Sequence, residues 1–288
     1  MANETVEEQR ERDYQFHLEV AEQIAPTWEK RRAEIEQAAT PVRHWMLHAL
    51  DPQEGDTLLE LAAGVGDTGF EAAAIIGGSG RLITSDLSPA MLGAARRRGA
   101  ELGLGNVEYR VINAERIELD PDSVDGVLCR FGYMLMPHPA AAFAETRRVL
   151  RPGGRVALAA WGPMEHNPWI AIAGISVGQR GHIPPPPPPP APGPFSMASA
   201  ERVDGLLREA GFTDVRIEDA RGTFRVADAD HYLGVIGDTA GPLGLALRGL
   251  GAHDRAAVRS DVEDSLRRFA ADHGGYELPC VALCAVAS

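Results

Sequence analysis

Residues Leu58 to Gly69 read LLELAAGVGDTG, and Ser85-Asp86 follows one short helix and one strand later. The residue types describe a buried strand ending in an acid, Glu60, then a glycine loop, the start of a helix, and a second acid on the next strand. Glycines let backbone amides approach a ligand closely, and an acid about 20 residues beyond the loop can accept both hydroxyls of a ribose. The unit is therefore expected to hold an adenosine-containing cofactor. Gly64-Val65-Gly66-Asp67-Thr68-Gly69 satisfies G-x-G-x-x-G literally, which taken alone favours a dinucleotide.

The elements that must position this loop form a regular alternation. Leu58 to Ala62 reads as a first strand, Asp67 to Ile76 as the helix after the loop, and Arg81 to Ser85 as a second strand. Ser88-Pro89 supplies an N-cap followed by proline at the first helical position, opening a helix to about Leu102. Val107 to Ile112 and Val124 to Arg130 follow as strands, then a helix from Ala140 to Leu150 and a fifth strand from Arg155 to Trp161. This spacing argues for a parallel sheet covered by helices on both faces. Upstream, residues 15 to 49 read as helical, with Pro26 and Pro41 expected to break them into two or three pieces.

After Trp161 the rhythm changes. A helix over Trp169 to Gly178 leads to seven consecutive prolines, Pro184 to Pro190. Polyproline is stiff and extended. Because the run lacks basic flanks and lies between structural elements, we read it as a rigid strap over the site rather than as a ligand for a proline-binding module. Ala200 to Glu209 is a helix, Val215 to Asp219 a strand, Asp228 to Arg268 helical with breaks at glycines, and Tyr276 to Val286 the last strand. The expected division is an N-terminal helical cap (1–50), a cofactor-binding core (51–161), a proline-rich lid insertion (162–198), and the rest of the same α/β domain with a helical insertion (199–288).

Four features move the cofactor from a dinucleotide to S-adenosylmethionine. Glu60, just ahead of the loop, would repel a pyrophosphate but favour a methionine ammonium, directly or through water. Glu60-Leu61-Ala62-Ala63-Gly64-Val65-Gly66 resembles the acid-x-Gly-x-Gly-x-Gly motif of class I methyltransferases, with Ala62 in place of the first glycine. Asn113-Ala114-Glu115 is similar to the family's Asp-Ala-Glu segment, keeping a carbonyl acceptor for the adenine amine but not the charge. Arg147-Arg148-Val149-Leu150-Arg151-Pro152-Gly153-Gly154 resembles the family's turn into its fifth strand. The likeness is to the ubiquinone and menaquinone biosynthesis type, which includes many small-molecule methyltransferases. It spans residues 55 to 161 and extends toward Gly211 and the final strand. It implies a Rossmann-like α/β fold, a seven-stranded, mostly parallel sheet with helices on both faces, its last strand antiparallel, plus a helical cap.

By this resemblance the cofactor positions are Glu60, Ala62, Gly64, Gly66, Asp86, Asn113, Ala114 and Glu115, with Leu87 and Met91 packing on the adenine. Arg130 stands where the family offers backbone to the methionine part. Its side chain has two open readings, into the pocket toward an anionic substrate or out to solvent. Candidates for a general base are His138, Tyr133 and His166, and acceptor-side candidates are Tyr14, Trp28 and Trp161, each weighed against ordinary packing or surface exposure. The expected activity is methyl transfer to a small, hydrophobic or aromatic acceptor. The alternatives are a non-catalytic sensor or recruiting module that binds the same cofactor, and then an NAD(P)-dependent oxidoreductase.

Composition sets the outer limits. A formal charge of −13 repels polyanions, so nucleic acid is not an expected partner. The run Arg96-Arg97-Arg98 sits near a helix C-terminus, where cations suit the macrodipole. The three cysteines, Cys129, Cys280 and Cys284, build neither a disulfide framework nor a zinc site. His44 and His48 are one helical turn apart but have no third ligand nearby, so no metal is expected. The acidic N-terminus does not read as a secretory signal and no apolar run approaches a bilayer span. The expectation is a cytoplasmic protein without membrane insertion, with a homodimer left open.

Overall fold

A computed structural model describes residues 6–184 and 191–288. Its centre is a sheet of seven strands: β1 (Thr57–Glu60), β2 (Arg81–Asp86), β3 (Val107–Val111), β4 (Val124–Arg130), β5 (Leu150–Trp161), β6 (Val215–Val226) and β7 (Tyr276–Ala287). They lie in the order β3-β2-β1-β4-β5-β7-β6. Strands β1 to β5 pair in parallel, whereas β7 runs antiparallel to both β5 and β6. The expected fold class is thus the observed one. Strands buried on both faces need apolar residues at successive positions, and these alternate between two cores. Leu59, Ile83, Val127 and Leu158 face α4 (Pro139–Val149) and α6 (Ala200–Glu209). Their neighbours Leu58, Leu82, Leu128 and Ala157 face α2 (Asp67–Ile76), α3 (Pro89–Glu101) and the second half of α1 (Val6–Leu50).

Helix α1 corrects an expectation. Pro26 and Pro41 lie inside one continuous 45-residue helix rather than dividing it. Both prolines sit on the exposed side, where water can take the carbonyls their missing N–H groups release. The opposite side buries Ile24, Val42, Met46, Leu47 and Leu50. Each proline costs about 3 kcal/mol in a helix interior, and each large apolar side chain buried returns about 1.5–3 kcal/mol. Packing therefore outweighs the breaks.

Beyond the parallel strands, β6 and β7 extend as a 12-residue pair, longer than the strand expected from Val215 to Asp219. The far end carries a helical layer, α5 (Pro168–Gln179), α7 (Ala229–Thr239), α8 (Gly241–Gly249) and α9 (Ala252–Leu266), packed around Trp169, Tyr232, Phe224 and Leu278. The proline run falls largely at residues 185–190, outside the described residues. Just after it, Gly193 N–H (2.9 Å) and the Ser196 hydroxyl (2.6 Å) both donate to the carbonyl of Met134, in the loop after β4. No helix among the described residues is long and apolar enough to cross a membrane.

α1 reaches the sheet edge because Gly222 on β6 has no side chain. A β-carbon there would lie 2.3 Å from the Ala38 carbonyl oxygen, a backbone atom that cannot swing aside. Gly222→Ala should force α1 and β6 apart and cost roughly 1–3 kcal/mol, read as a lowered urea midpoint. An unchanged midpoint would refute the close approach.

Candidate functional site

The loop after β1 is built by positive-φ residues: Ala62 at 50°, Gly64 at 55° and Gly66 at 88°. Neighbouring strand ends hold it in place. Leu61 N–H donates to Leu128 O (2.8 Å), Ala63 N–H to Ser85 O (2.9 Å) and Gly64 N–H to Asp86 Oδ2 (2.8 Å). Space also requires glycine at Gly66 and at Gly69. A β-carbon on Gly66 would lie 2.5 Å from the Phe70 ring, and one on Gly69 would lie 2.2 Å from Glu60 Oε2. Ala62, the departure from the motif, keeps its methyl because Gly132 faces it; a β-carbon on Gly132 would stand 2.6 Å from that methyl.

The other expected cofactor positions gather at the same edge. Asp86 ends β2, and its Oδ1 accepts Ser88 N–H at 2.9 Å while Oδ2 holds the loop. Burial pushes its carboxyl above the usual range, against the bonds from Ser88, Gly64 and Leu87 backbone. A carboxylate has about four lone-pair positions, so each oxygen can accept a further donor. Asn113 follows β3 and uses Oδ1 to accept Glu115 N–H (2.9 Å), and Glu115 in turn accepts His138 N–H (2.8 Å). Ala114 is buried, Leu87 is half-buried, and Met91 packs on Val65, Ile24 and Ala94. All lie at the carboxyl ends of β1 to β4, where the strand order reverses between β1 and β4, the usual ligand crevice of such sheets.

An adenosine with an amino-acid end fits this edge. Two buried polar atoms in the first turn of α2, Asp67 Oδ2 and Thr68 Oγ1, have no partner among the described residues. The N-cap Gly66 offers no side-chain cap, which leaves a partly positive helix end toward the loop.

Glu60 is buried and turns both oxygens onto the protein. Oε1 accepts Gly69 N–H (2.7 Å) and Oε2 accepts the Thr84 hydroxyl (2.5 Å). Burial pushes its carboxyl up to about 7, despite these bonds and nearby Arg130. Arg130 does not lean out to solvent. It is bound to Glu36 of α1 through both terminal nitrogens, one at 3.1 Å. Tyr133 is corrected as a base: it is fully buried, stacked on Phe143 at 4.1 Å, and bonded to Thr146 Oγ1 at 2.6 Å. Burial raises its phenol well above 10, so it holds its proton.

The remaining candidates are dispersed. His138 stands at the N-cap of α4, its Nε2 buried and without a partner among the described residues. His166 is exposed in a short turn after β5, and Tyr14 is half-buried on α1. Trp28 donates Nε1–H to Thr239 O at 3.2 Å and packs beside Met91 and Val65. Trp161 stacks on Phe131 at 3.8 Å and meets Trp169 edge-on at 5.0 Å. Phe131 is a residue that the sequence does not reveal. It holds φ at 61° just after β4, a strained conformation for a bulky side chain and one that gathers at functional sites. Glu22 is another. From α1 it accepts the Ser88 hydroxyl (2.5 Å) and Ala90 N–H (3.0 Å) at the start of α3. The exposed His44 lies 4.0 Å from Glu71, and no three metal-binding side chains converge among the described residues.

Two outcomes follow. Glu60 titrates near 4.5 unfolded and about 7 folded, so its stabilising proton is fully bound below the first value and lost as pH rises through the second. Wild type should lose roughly 1–3 kcal/mol more than Glu60→Gln between about pH 5 and about pH 8; parallel urea-stability profiles would show that the carboxyl is not protonated. Gly132→Ala should destabilise by about 1–3 kcal/mol, and Ala62→Gly in the same chain should restore part of the loss. Strict additivity would mean that the two positions do not touch.

A family model described as a methyltransferase domain matches residues 58–154. The ubiquinone/menaquinone biosynthesis C-methyltransferase UbiE of Francisella philomiragia is 33% identical over 105 residues, which is 36% of this chain and 42% of that relative. The chain thus spans less than half the length of that curated relative. Among solved structures, a proposed methyltransferase from Bacillus halodurans aligns with a TM-score of 0.57 at 17% identity, covering 85% of this chain and 97% of that one. Phosphoethanolamine N-methyltransferase 2 of Haemonchus contortus, solved with S-adenosyl-L-methionine, aligns at a TM-score of 0.51 and 18% identity over 86% of this chain and 52% of that one. Over residues 58–154 the chain therefore matches a methyltransferase domain, and it shares its fold with solved methyltransferases.

Proposed function

We propose that this chain is an enzyme that methylates a small, apolar or aromatic molecule at the carboxyl edge of β1 to β5. The observation that carries the reading is the loop pinned by Gly64 N–H on Asp86, with partnerless Asp67 Oδ2 and Thr68 Oγ1 beside it. S-adenosylmethionine, when bound, supplies a methyl group already activated on a sulfonium. Asp86 accepts the ribose hydroxyls, Asn113 and Ala114 meet the adenine edge, Leu87 and Met91 pack on its faces, and the loop carries the amino-acid end. The stacked Phe131 and Trp161, with Trp169 edge-on against Trp161, form an apolar aromatic cluster that we assign to the acceptor side. An aromatic wall near a sulfonium adds about 0.5–2 kcal/mol of cation–π attraction.

Alignment of donor and acceptor can supply about 7–11 kcal/mol of the barrier, whereas a general base adds about 10²- to 10⁴-fold in rate. Positioning is therefore the chain's main task. Of the three candidate bases, His138 is the one we retain, since Tyr133 holds its proton and His166 is exposed. The region before β1 and the segment after β5 act as the cap and lid that keep water from the transfer.

The test uses methyl-labelled S-adenosylmethionine and a small-molecule extract. The expected result is mass-spectrometric detection of label on an apolar or aromatic metabolite. Tight cofactor binding with no transfer to any pool would favour the sensor reading, and binding of NAD but not of S-adenosylhomocysteine would favour an oxidoreductase. Asp86→Ala should weaken S-adenosylhomocysteine by roughly tenfold or more, since it removes charge-assisted ribose bonds; an unchanged dissociation constant refutes that role.

A further inference from the structure

Ionic contacts tie α1 to the carboxyl edge on both sides of the glycine loop. Glu36 is gripped by Arg130 from β4 and by Arg43 Nη1 at 2.5 Å, and Arg43 Nε reaches Glu71 at 2.6 Å. Four residues earlier on α1, Arg32 Nη1 donates to Asp67 Oδ1 at 2.7 Å. These groups are withdrawn from water: the side chains of Glu36, Asp67 and Arg130 are 9%, 10% and 12% exposed. Buried ion pairs are poor stabilisers compared with apolar packing, because desolvation offsets the attraction. Another use for the charges is called for.

Their placement indicates one. Arg130 acts electrostatically on both Glu60 and Asp67, and Asp67 also feels Glu36 and Arg32, so the acid before the loop and the first turn of α2 share one charged cluster with α1. Asp67 Oδ2, nine-tenths buried, has no donor among the described residues. A cation already engaged with a carboxylate, beside an acid that has one oxygen without a donor among the described residues, is the complement of the two charges of an α-amino acid. We propose that Arg130 anchors the carboxylate of the cofactor's amino-acid end, that Asp67 Oδ2 takes its ammonium, and that Glu36 is the internal carboxylate which Arg130 exchanges for the ligand's. Arg43 stays on Glu36 through the exchange, so no charge is left buried alone. Helix α1 thereby senses the amino-acid end and loosens from β4 when it arrives. The inference rests on the cofactor reading above.

The experiment compares S-adenosylhomocysteine with 5′-methylthioadenosine, which shares the nucleoside and thioether but lacks the amino-acid end. By calorimetry, Glu36→Gln should bind S-adenosylhomocysteine roughly fivefold or more tightly and Arg130→Gln roughly tenfold or more weakly, each leaving methylthioadenosine within about twofold. Amide hydrogen exchange on the unmodified protein provides a measurement that needs no variant. Residues 32–43 should exchange faster with S-adenosylhomocysteine bound than with methylthioadenosine bound. Equal effects on both ligands, or none, together with identical exchange in α1, overturn the proposal while leaving the adenosine site standing. If neither compound binds the unmodified protein, the cofactor reading itself falls, and the proposal with it.

Discussion

One carboxylate, that of Glu60, joins three elements at the point where the sheet reverses its strand order. Its oxygens hold the third amide of α2 and a hydroxyl of β2, while its own backbone carbonyl accepts from Ser85. α2 can come this close only because Gly69 has no β-carbon. A shorter acid would not span the gap and an apolar residue would strand the Thr84 hydroxyl, so the loop geometry follows from this bond. With the loop so placed, Gly64 N–H meets Asp86 and the ligand-facing edge is set. Burial costs the carboxylate its preference for charge, which makes the centre of the site sensitive to protons as well as to shape.

The proposed acceptor side rests on a different constraint. Phe131 must turn into a left-handed conformation as β4 ends, and the turn brings its ring flat against Trp161 at the end of the neighbouring strand. Gly132 then leaves room for the methyl of Ala62. The motif's missing glycine and the glycine after β4 are thus two halves of one local solution, in which a methyl moved from one chain segment to the space of another. The proposed donor and acceptor sides share this seam.

Much of this was readable in the residues. Strands β1, β2 and β4 announce themselves because burial on two faces demands near-continuous apolar runs, and the loop because left-handed backbone favours glycine. What escaped depends on partners far along the chain. Pro26 and Pro41 carry local penalties that only tertiary burial can offset. Arg130 and Glu36 are 94 residues apart, and nothing in either neighbourhood names the other. Tyr133 looked like chemistry because tyrosine can do chemistry; its fate was decided by Phe143 and Thr146 on α4, which turned it inward. Spacing identifies a loop well, and side-chain direction poorly.

The long first helix has a consequence for how the molecule is made. Trp45 of α1 bonds Glu218 of β6, a partner 173 residues later. At ribosomal speeds of roughly 5–20 residues per second, that delay is on the order of ten seconds or more. Throughout it, the stripe of Ile24, Ala38, Val42 and Met46 has part of its eventual cover and lacks the rest. The parallel strands can form around their own helices meanwhile, but the apolar face of α1 is completed by the antiparallel pair, which is translated much later. Helix α1 is thus completed long after it is translated, and the nascent chain is most exposed to aggregation or chaperone capture along the helix that later covers the loop.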